Sequence, residues 1–338
     1  MATIDDVAAL RLMCKGAYDL QKLRMQCGLR LWANFNAKLK QQANPAAEDT
    51  ETDADEMSEE AEKLIAQLKA SYVRLTDGIA RNRTLPAQKG FNGDELISTF
   101  TELTLVDQYI QLEKQEARHF RQMTPLLEEI PIYSTYLKQE RGIGPAMASV
   151  LISYLDPAKA DHISAFWRYA GLDVGPDGMG RSRREEHLVE RTYIDKNGQQ
   201  KTRMGVTYNP FLKTKLAGVL ASSFLRQKSR WSDVYSNYKH RITTDPNRTK
   251  VTVTEWKRMH KAGGMDAVRG VWTPGRIHNA SSRYMLKMFL AELWTKWRTL
   301  EGLPLTPTYH EAVMGHVHTP SAQEQRRSAE GDGATTHT

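Results

Sequence analysis

One short run of residues constrains this chain more than any other. Gly142-Ile143-Gly144-Pro145 lies between Leu137 and an apolar stretch ending at Val150 and Leu151. Two glycines one residue apart permit a tight turn and a close approach of backbone to a ligand. Ile143 can plug such a turn into a core. Pro145 suits the first turn of a helix, where its missing donor costs nothing. The spacing predicts a helix, a hairpin and a second helix. The free N–H groups opening that second helix form a cradle for a phosphate oxygen. An ordinary helical corner that uses glycine for packing would carry the same residues.

Charge changes sign at this hairpin. Residues 1–140 carry 17 Lys and Arg against 22 Asp and Glu, whereas the rest of the chain carries 30 against 18. The whole 338-residue chain therefore has a formal net charge of +7, concentrated beyond residue 140. A basic half of this kind fits a polyanion as partner. Cys14 and Cys27 are too few for a disulfide scaffold or a zinc site. No apolar run reaches membrane-spanning length, and the N-terminus lacks a signal-peptide pattern. These features predict a cytoplasmic, nucleoid-associated protein with no membrane partner.

Hydrophobic periodicity predicts a mainly α fold. Leu10, Cys14, Ala17, Leu20, Leu23, Cys27, Leu31, Phe35 and Leu39 recur at helical steps over residues 6–42. An acidic stretch at 43–60 reads as a solvated linker. A second helix is expected over 57–79, a loop over 84–94, and a third helix over 95–123 capped by Asp94. Residues 1–130 thus read as a coiled-coil-like arm, able to join copies of the chain through its helices. Residues 131–320 read as a helix-hairpin-helix domain, and 321–338 as a disordered tail.

Within that second region, Ile163 to Leu172 reads as a short helix ending at Gly171. Residues 190–203 read as an inserted β-hairpin, with Asn197-Gly198 in a type I′ turn. Asn209-Pro210 opens a further helix, and residues 231–240 form another. Residues 243–275 read as irregular or short elements. Residues 277–300 form a strong final helix, with Trp294 and Trp297 in its core face.

Several landmarks come in a recognisable order. They are Gly142-Ile143-Gly144-Pro145, then Phe166-Trp167-Arg168-Tyr169-Ala170-Gly171-Leu172, then Asn209-Pro210-Phe211-Leu212-Lys213-Thr214-Lys215-Leu216. Trp231-Ser232-Asp233-Val234-Tyr235 and Arg276-Ile277-His278-Asn279-Ala280 through Lys287 follow. Over residues 130–300 this series resembles the C-terminal domain of Piv-type DEDD insertion-sequence transposases, recombinases that use a serine as well as a metal site. The resemblance implies DNA cleavage and rejoining in transposition, assembly on DNA, Mg2+ if the protein is catalytic, and a guide RNA as a further partner. Such transposases also carry an N-terminal RuvC-like domain whose acidic residues bind metal. Residues 1–130 read as helices instead, and no strand delivers the first aspartate.

The resemblance puts the nucleophile in the loop after Leu172. Ser182 is the only serine there, a few residues later than the family's, and is flanked by Arg181, Arg183 and Arg184. A serine needs activation to attack a phosphodiester, and the arginines can orient the phosphate. A loop serine in a basic DNA-contacting loop fits the same residues. Gly142, Ile143 and Gly144 are the hairpin's DNA-contact candidates. Arg191, Lys201 and Arg203 on the β-hairpin, with Lys213 and Lys215 on the next helix, complete the set. His310, His316 and His318 lack supporting ligands at metal spacing, so no metal site is expected from them. Two functions remain open at this point. One is a DNA transposase with Ser182 as nucleophile. The other is a non-catalytic DNA-binding or assembly protein derived from such an enzyme.

Overall fold

A computed structural model describes residues 4–43, 58–76, 85–175 and 177–306. The linker expected at 43–60 falls mostly outside them, and the expected tail and the three C-terminal histidines fall wholly outside. The described residues form a mainly helical protein with one two-stranded antiparallel hairpin. By contacts the chain divides into two units. The first is Met1–Gln139 with Ile143–Tyr154, and the second is Glu140–Gly142 with Leu155–Thr338.

The first unit is built on α1 (Ile4–Ala43), α2 (Glu59–Thr76) and α3 (Phe100–Glu128). Helix α1 runs antiparallel to α3. Gln21 and Arg24 reach Glu116, while Lys38, further along α1, reaches back to Glu102. The periodic positions Leu10, Cys14, Ala17, Leu31 and Phe35 are buried within the chain itself. The apolar stripe that suggested self-association is thus largely covered by the protein's own helices, although Leu23 and Leu39 stay exposed.

Helix α3 starts later than Asp94 predicts. Thr99 is its N-cap: its hydroxyl accepts the Glu102 N–H at 3.2 Å, and the Glu102 carboxylate accepts the Thr99 N–H at 3.1 Å. This reciprocal pair satisfies two otherwise orphaned donors. Asp94 instead holds the preceding turn, accepting the N–H groups of Leu96 and Ile97 at 3.0 and 2.7 Å.

The expected first helix of the hairpin is broken. It consists of α4 (Pro131–Thr135) and a single 3-10 turn at Leu137–Gln139, because Tyr136 leaves helical geometry (φ −133°, ψ −63°). Helix α5 (Pro145–Tyr154) follows, with every residue from Met147 to Ser153 buried. A helix that is apolar all round needs neighbours on all sides. Helices α1 and α3 supply them, so this segment packs with the first unit, beyond the boundary at 130 expected from the helical pattern.

The second unit contains α6 (Ile163–Tyr169), β1 (Leu188–Ile194), β2 (Gln200–Val206), α7 (Pro210–Thr214), a π-helical segment at Lys215–Leu220, and α8 (Ala221–Arg226). Helices α9 (Arg230–Thr244), α10 (Val253–Val268) and α11 (Pro274–Leu300) complete it. Its core forms around α11, where Phe289 meets Phe224 and Trp231 edge-on at centroid distances of 5.3 and 5.5 Å. Trp294 and Trp297 are buried, as expected.

Strands β1 and β2 pair with Arg191 opposite Arg203 and Tyr193 opposite Lys201. The turn differs from the type I′ expected of Asn197-Gly198. It is a five-residue loop from Asp195 to Gln199, and Gly198 alone among its residues has positive φ. The Asp195 carboxylate takes the N–H groups of Asn197 and Gln199, which favours the longer loop. Helix α10 replaces the irregular stretch expected at 243–275. Thr252 and Glu255 form a capping box at its start, but only Val268 is buried along it, so it left no apolar stripe to find.

Candidate functional site

The loop between α6 and β1 carries the most chemistry. An isolated bridge between Val174 and Gly180, and the Arg181 N–H bonded to the Asp173 carbonyl at 3.2 Å, fold it back on itself. This return places Ser182 beside a buried histidine. Ser182 Oγ lies 3.1 Å from His187 Nδ1, and the Ser182 backbone N–H also donates to Nδ1 at 3.0 Å. An Nδ1 that accepts a backbone proton carries none itself, so the neutral ring holds its proton on Nε2. That nitrogen is 3.2 Å from Asp177 Oδ1, a contact that is not aligned as a full hydrogen bond and becomes an ion pair only when the ring gains a second proton. Serine, histidine and aspartate thus stand in sequence, with His187 only 1% exposed.

Arg184 ties the two ends together. Its backbone N–H and its Nε donate to Ser182 Oγ at 3.3 and 3.0 Å, and its guanidinium lies 3.3 Å from Asp177. Burial raises the Asp177 carboxyl, but the Met179 N–H, His187 and Arg184 outweigh it and hold the group below the ordinary carboxylate range.

Cations surround this loop in excess. Asp173 pairs with Arg181 at 2.9 Å, and its other oxygen is buried without a partner. Lys213, Arg283 and Lys287 lie close enough to feel Asp173, and none has a carboxylate partner of its own among the described residues. Burial lowers the affinity of Lys213 and Lys287 for their protons, and Arg283 pushes both the same way. Burial likewise lowers Arg283. Arg276 is lowered by burial and by repulsion from Arg248 and Arg283. The Lys213 ammonium also donates to the Arg181 carbonyl, so it is anchored to the loop. Like charges held together at partial burial cost free energy unless an anion joins them.

The sequence-predicted residues separate into groups. Arg181, Ser182, Arg184 and Lys213 meet at this loop, and Arg183 beside them is exposed. Arg191, Lys201 and Arg203 lie exposed on the hairpin, where Arg203 covers the Tyr193 ring at 5.1 Å and Lys201 pairs with Asp195 at 2.6 Å. Lys215 sits in the π-helical segment with its ammonium 5.5 Å from the Phe211 ring centroid. Gly142 has φ +103° and packs beneath Phe224, while its carbonyl accepts the Ser223 hydroxyl at 2.8 Å. Ile143 is buried, and Gly144 is exposed, with its carbonyl taking the Met147 and Ala148 N–H groups.

Sequence reasoning missed Asp177 and His187 as partners of Ser182. It also took Arg276 and Lys287 only as landmarks and passed over Arg283. The five-residue step from Ser182 to His187 matches no short motif. The spacing of Arg276, Arg283 and Lys287 was readable, because steps of seven and four residues share one helix face. The described residues contain no group of three His, Cys, Asp or Glu side chains able to hold a metal. The acidic metal site implied by the transposase resemblance therefore has no counterpart in them. None of the described helices is long and apolar enough to cross a membrane. Comparison with protein-family models and with curated proteins gave no match.

Proposed function

We propose that the chain is a DNA-binding protein of the transposase and recombinase type, and that its second unit holds a strand phosphate beside Ser182. The observation behind this reading is the surplus of cations around Asp173 and Asp177, next to a serine bonded to a buried histidine. A phosphodiester supplies the missing negative charge, and Arg181, Arg184 and Arg283 are the groups available to receive it. In cleavage the Ser182 hydroxyl gives its proton to His187 Nδ1 while Oγ bonds to phosphorus. The P–O bond to one strand end breaks, and that oxygen leaves with a proton returned by His187. The strand stays joined to Ser182 as a phosphodiester. Attack by a strand hydroxyl reverses the steps and rejoins DNA. Asp177 favours the imidazolium formed midway, and the guanidiniums offset charge building on the phosphate.

A second reading has an observation of its own. Arg184 directs two N–H groups at Ser182 Oγ, which holds the oxygen within the protein and suits a purely structural serine. On that reading the protein binds DNA without cutting it. Incubation of the full chain with supercoiled plasmid and Mg2+, followed by denaturing gels, separates the two. The enzyme reading expects nicking and a covalent protein–DNA adduct, both lost in Ser182→Ala. Binding without cleavage by the wild type leaves the second reading, and failure to bind DNA overturns both.

A further inference from the structure

A cavity of about 500 Å³ opens within the second unit beside the Ser182 loop. That volume falls within the range of ~300–1,000 Å³ for pockets that enclose one small molecule. Its lining combines two chemistries. Trp256, Trp272, Met265 and Val268 give it flat aromatic and apolar surface, while Arg276 and Arg283 give it guanidinium charge. Asp177 and Arg184, which contact His187 and Ser182 respectively, also border it.

The apolar wall depends on a break in α10. Trp256 and Met265 are nine residues apart, which on a straight helix would turn them to opposite faces. Gly263 and Gly264 interrupt the helix, and Gly264 has φ 64° and ψ −155°, a region open essentially to glycine alone. The break lets residues from both halves of α10 line one cavity. Arg248 and Arg276 each lie 4.5 Å from the Trp272 ring centroid, so this indole is already dressed as a cationic stacking surface.

We infer that this cavity receives a single nucleotide, its base stacked on the aromatic wall and its phosphate held by Arg276 and Arg283. A flat base matches indole surface without demanding a sequence. The phosphate matches the cations left without carboxylates. Asn279 on the lining offers both a donor and an acceptor to a base edge. The inference rests on the nucleic-acid reading above when the nucleotide belongs to a strand, unpaired and turned out beside Ser182. A free nucleotide has the same chemistry.

The test uses the full chain and two probes. The first is 2-aminopurine deoxyribonucleoside 5′-monophosphate, followed by fluorescence, with the unphosphorylated nucleoside and inorganic phosphate as comparisons. The second is a pair of DNA duplexes, one fully paired and one with a single unpaired nucleotide. Trp256→Ala removes stacking surface. Gly275→Phe places a ring at a lining position where an added Cβ meets nothing within 4 Å. Thermal melting confirms that both variants fold. The monophosphate is expected to bind more tightly than either comparison, and the unpaired duplex about tenfold more tightly than the paired one, the scale of one base stack. Both effects are lost in the two variants. Monophosphate binding without duplex binding supports the cavity with a free nucleotide as source and overturns the DNA reading instead. Duplex binding with no preference and no monophosphate binding overturns the cavity inference and leaves the DNA reading intact. Equal nucleotide binding in both variants also overturns it.

Discussion

The two units treat charge in opposite ways. In the first, cations and carboxylates meet between elements: Arg24 with Glu116, Lys38 with Glu102, Lys69 with Glu113, and Arg74 with Asp94 in the turn before α3. Each of these pairs closes on itself, so these four cations are already neutralised within the unit. Around the Ser182 loop, Arg181, Lys213, Arg283 and Lys287 share the single carboxylate of Asp173. Net charge alone would have marked the second half as basic. The arrangement adds that some of its cations are half-buried and mutually repelling, which is what the proposed phosphate contact calls for and a solvated basic face does not. Partial burial strengthens each contact to an anion and raises the cost of having none.

The sharpest way to break this contrast is to remove charge from each unit in turn. Arg283→Gln with Lys287→Gln is expected to weaken duplex binding about a hundredfold, two charge-assisted contacts at ~1.5 kcal/mol each. The slope of log affinity against log salt should fall by about 1.8, one counterion step per phosphate lost. The same double variant should melt no lower than wild type, because it relieves repulsion. Lys38→Gln with Lys69→Gln, in the first unit, is expected to leave affinity within about twofold while lowering stability by about 1 kcal/mol or less. Salt-titrated binding and melting curves on all three proteins check the pair. Equal losses of affinity would erase the distinction between the units.

A smaller effect separates the two glycines of the hairpin. Gly142 combines φ +103° with a Phe224 ring atom 2.8 Å from where a Cβ would stand. Gly142→Val should therefore cost about 2–4 kcal/mol, from strained backbone and an overpacked contact together. Gly144 has open space around it and needs no positive φ, so Gly144→Val should cost about 1 kcal/mol or less. If the first turn of α5 holds a phosphate, the second variant folds and binds DNA more weakly. Unchanged affinity in folded Gly144→Val would make the hairpin a purely structural corner. Chemical denaturation and binding measured on the same samples give both numbers.

These contrasts also mark what the sequence could disclose. The long helices were legible because Leu10, Cys14, Ala17, Leu31 and Phe35 keep a helical period, and their burial bears that out. The final helix and the hairpin strands were legible for similar reasons of pattern. Helix α10 was not, since only Val268 along it is buried and the break at Gly263 and Gly264 interrupts any helical period. Asp94 misled because an aspartate before a helix caps and an aspartate holding a turn look identical in sequence. Ser182 and its arginines were visible as neighbours in the chain. His187 and Asp177 become its partners only when the loop folds back, and Arg283 joins from α11, about a hundred residues on. Local pattern reports faces of helices; a site assembled from a loop and a distant helix depends on packing.

A last effect comes from pH: both units should gain stability as pH rises, the first in an acid window and the second in an alkaline one. Burial raises the Asp94 carboxyl, but hydrogen bonds from Ser71, Ile97, Arg74 and Leu96 bring it down to about 2. A carboxyl whose folded value lies below its unfolded value of 3.8 adds stability above pH 4 and loses it as pH falls toward 2. Glu102, lowered by Lys38 and by the Thr99 and Ser98 N–H groups against the effect of burial, acts in the same sense. The first unit should lose about 1–3 kcal/mol over that acid window, and Asp94→Asn should remove most of the Asp94 share. The second unit has lysines whose linkage has the same sign but acts at alkaline pH. Lys213 and Lys287 sit below the ordinary lysine range, so the unfolded chain binds their protons more tightly. Stability there should rise as pH climbs through their folded values toward the unfolded 10.5. Inorganic phosphate at neutral pH should stabilise the same unit by neutralising the cluster, and so flatten the alkaline rise. Hydrogen exchange resolved by peptide follows each unit separately in one sample. An alkaline gain in the peptides of α7 and α11 that persists in Arg283→Gln with Lys287→Gln would show that the cluster is not its source.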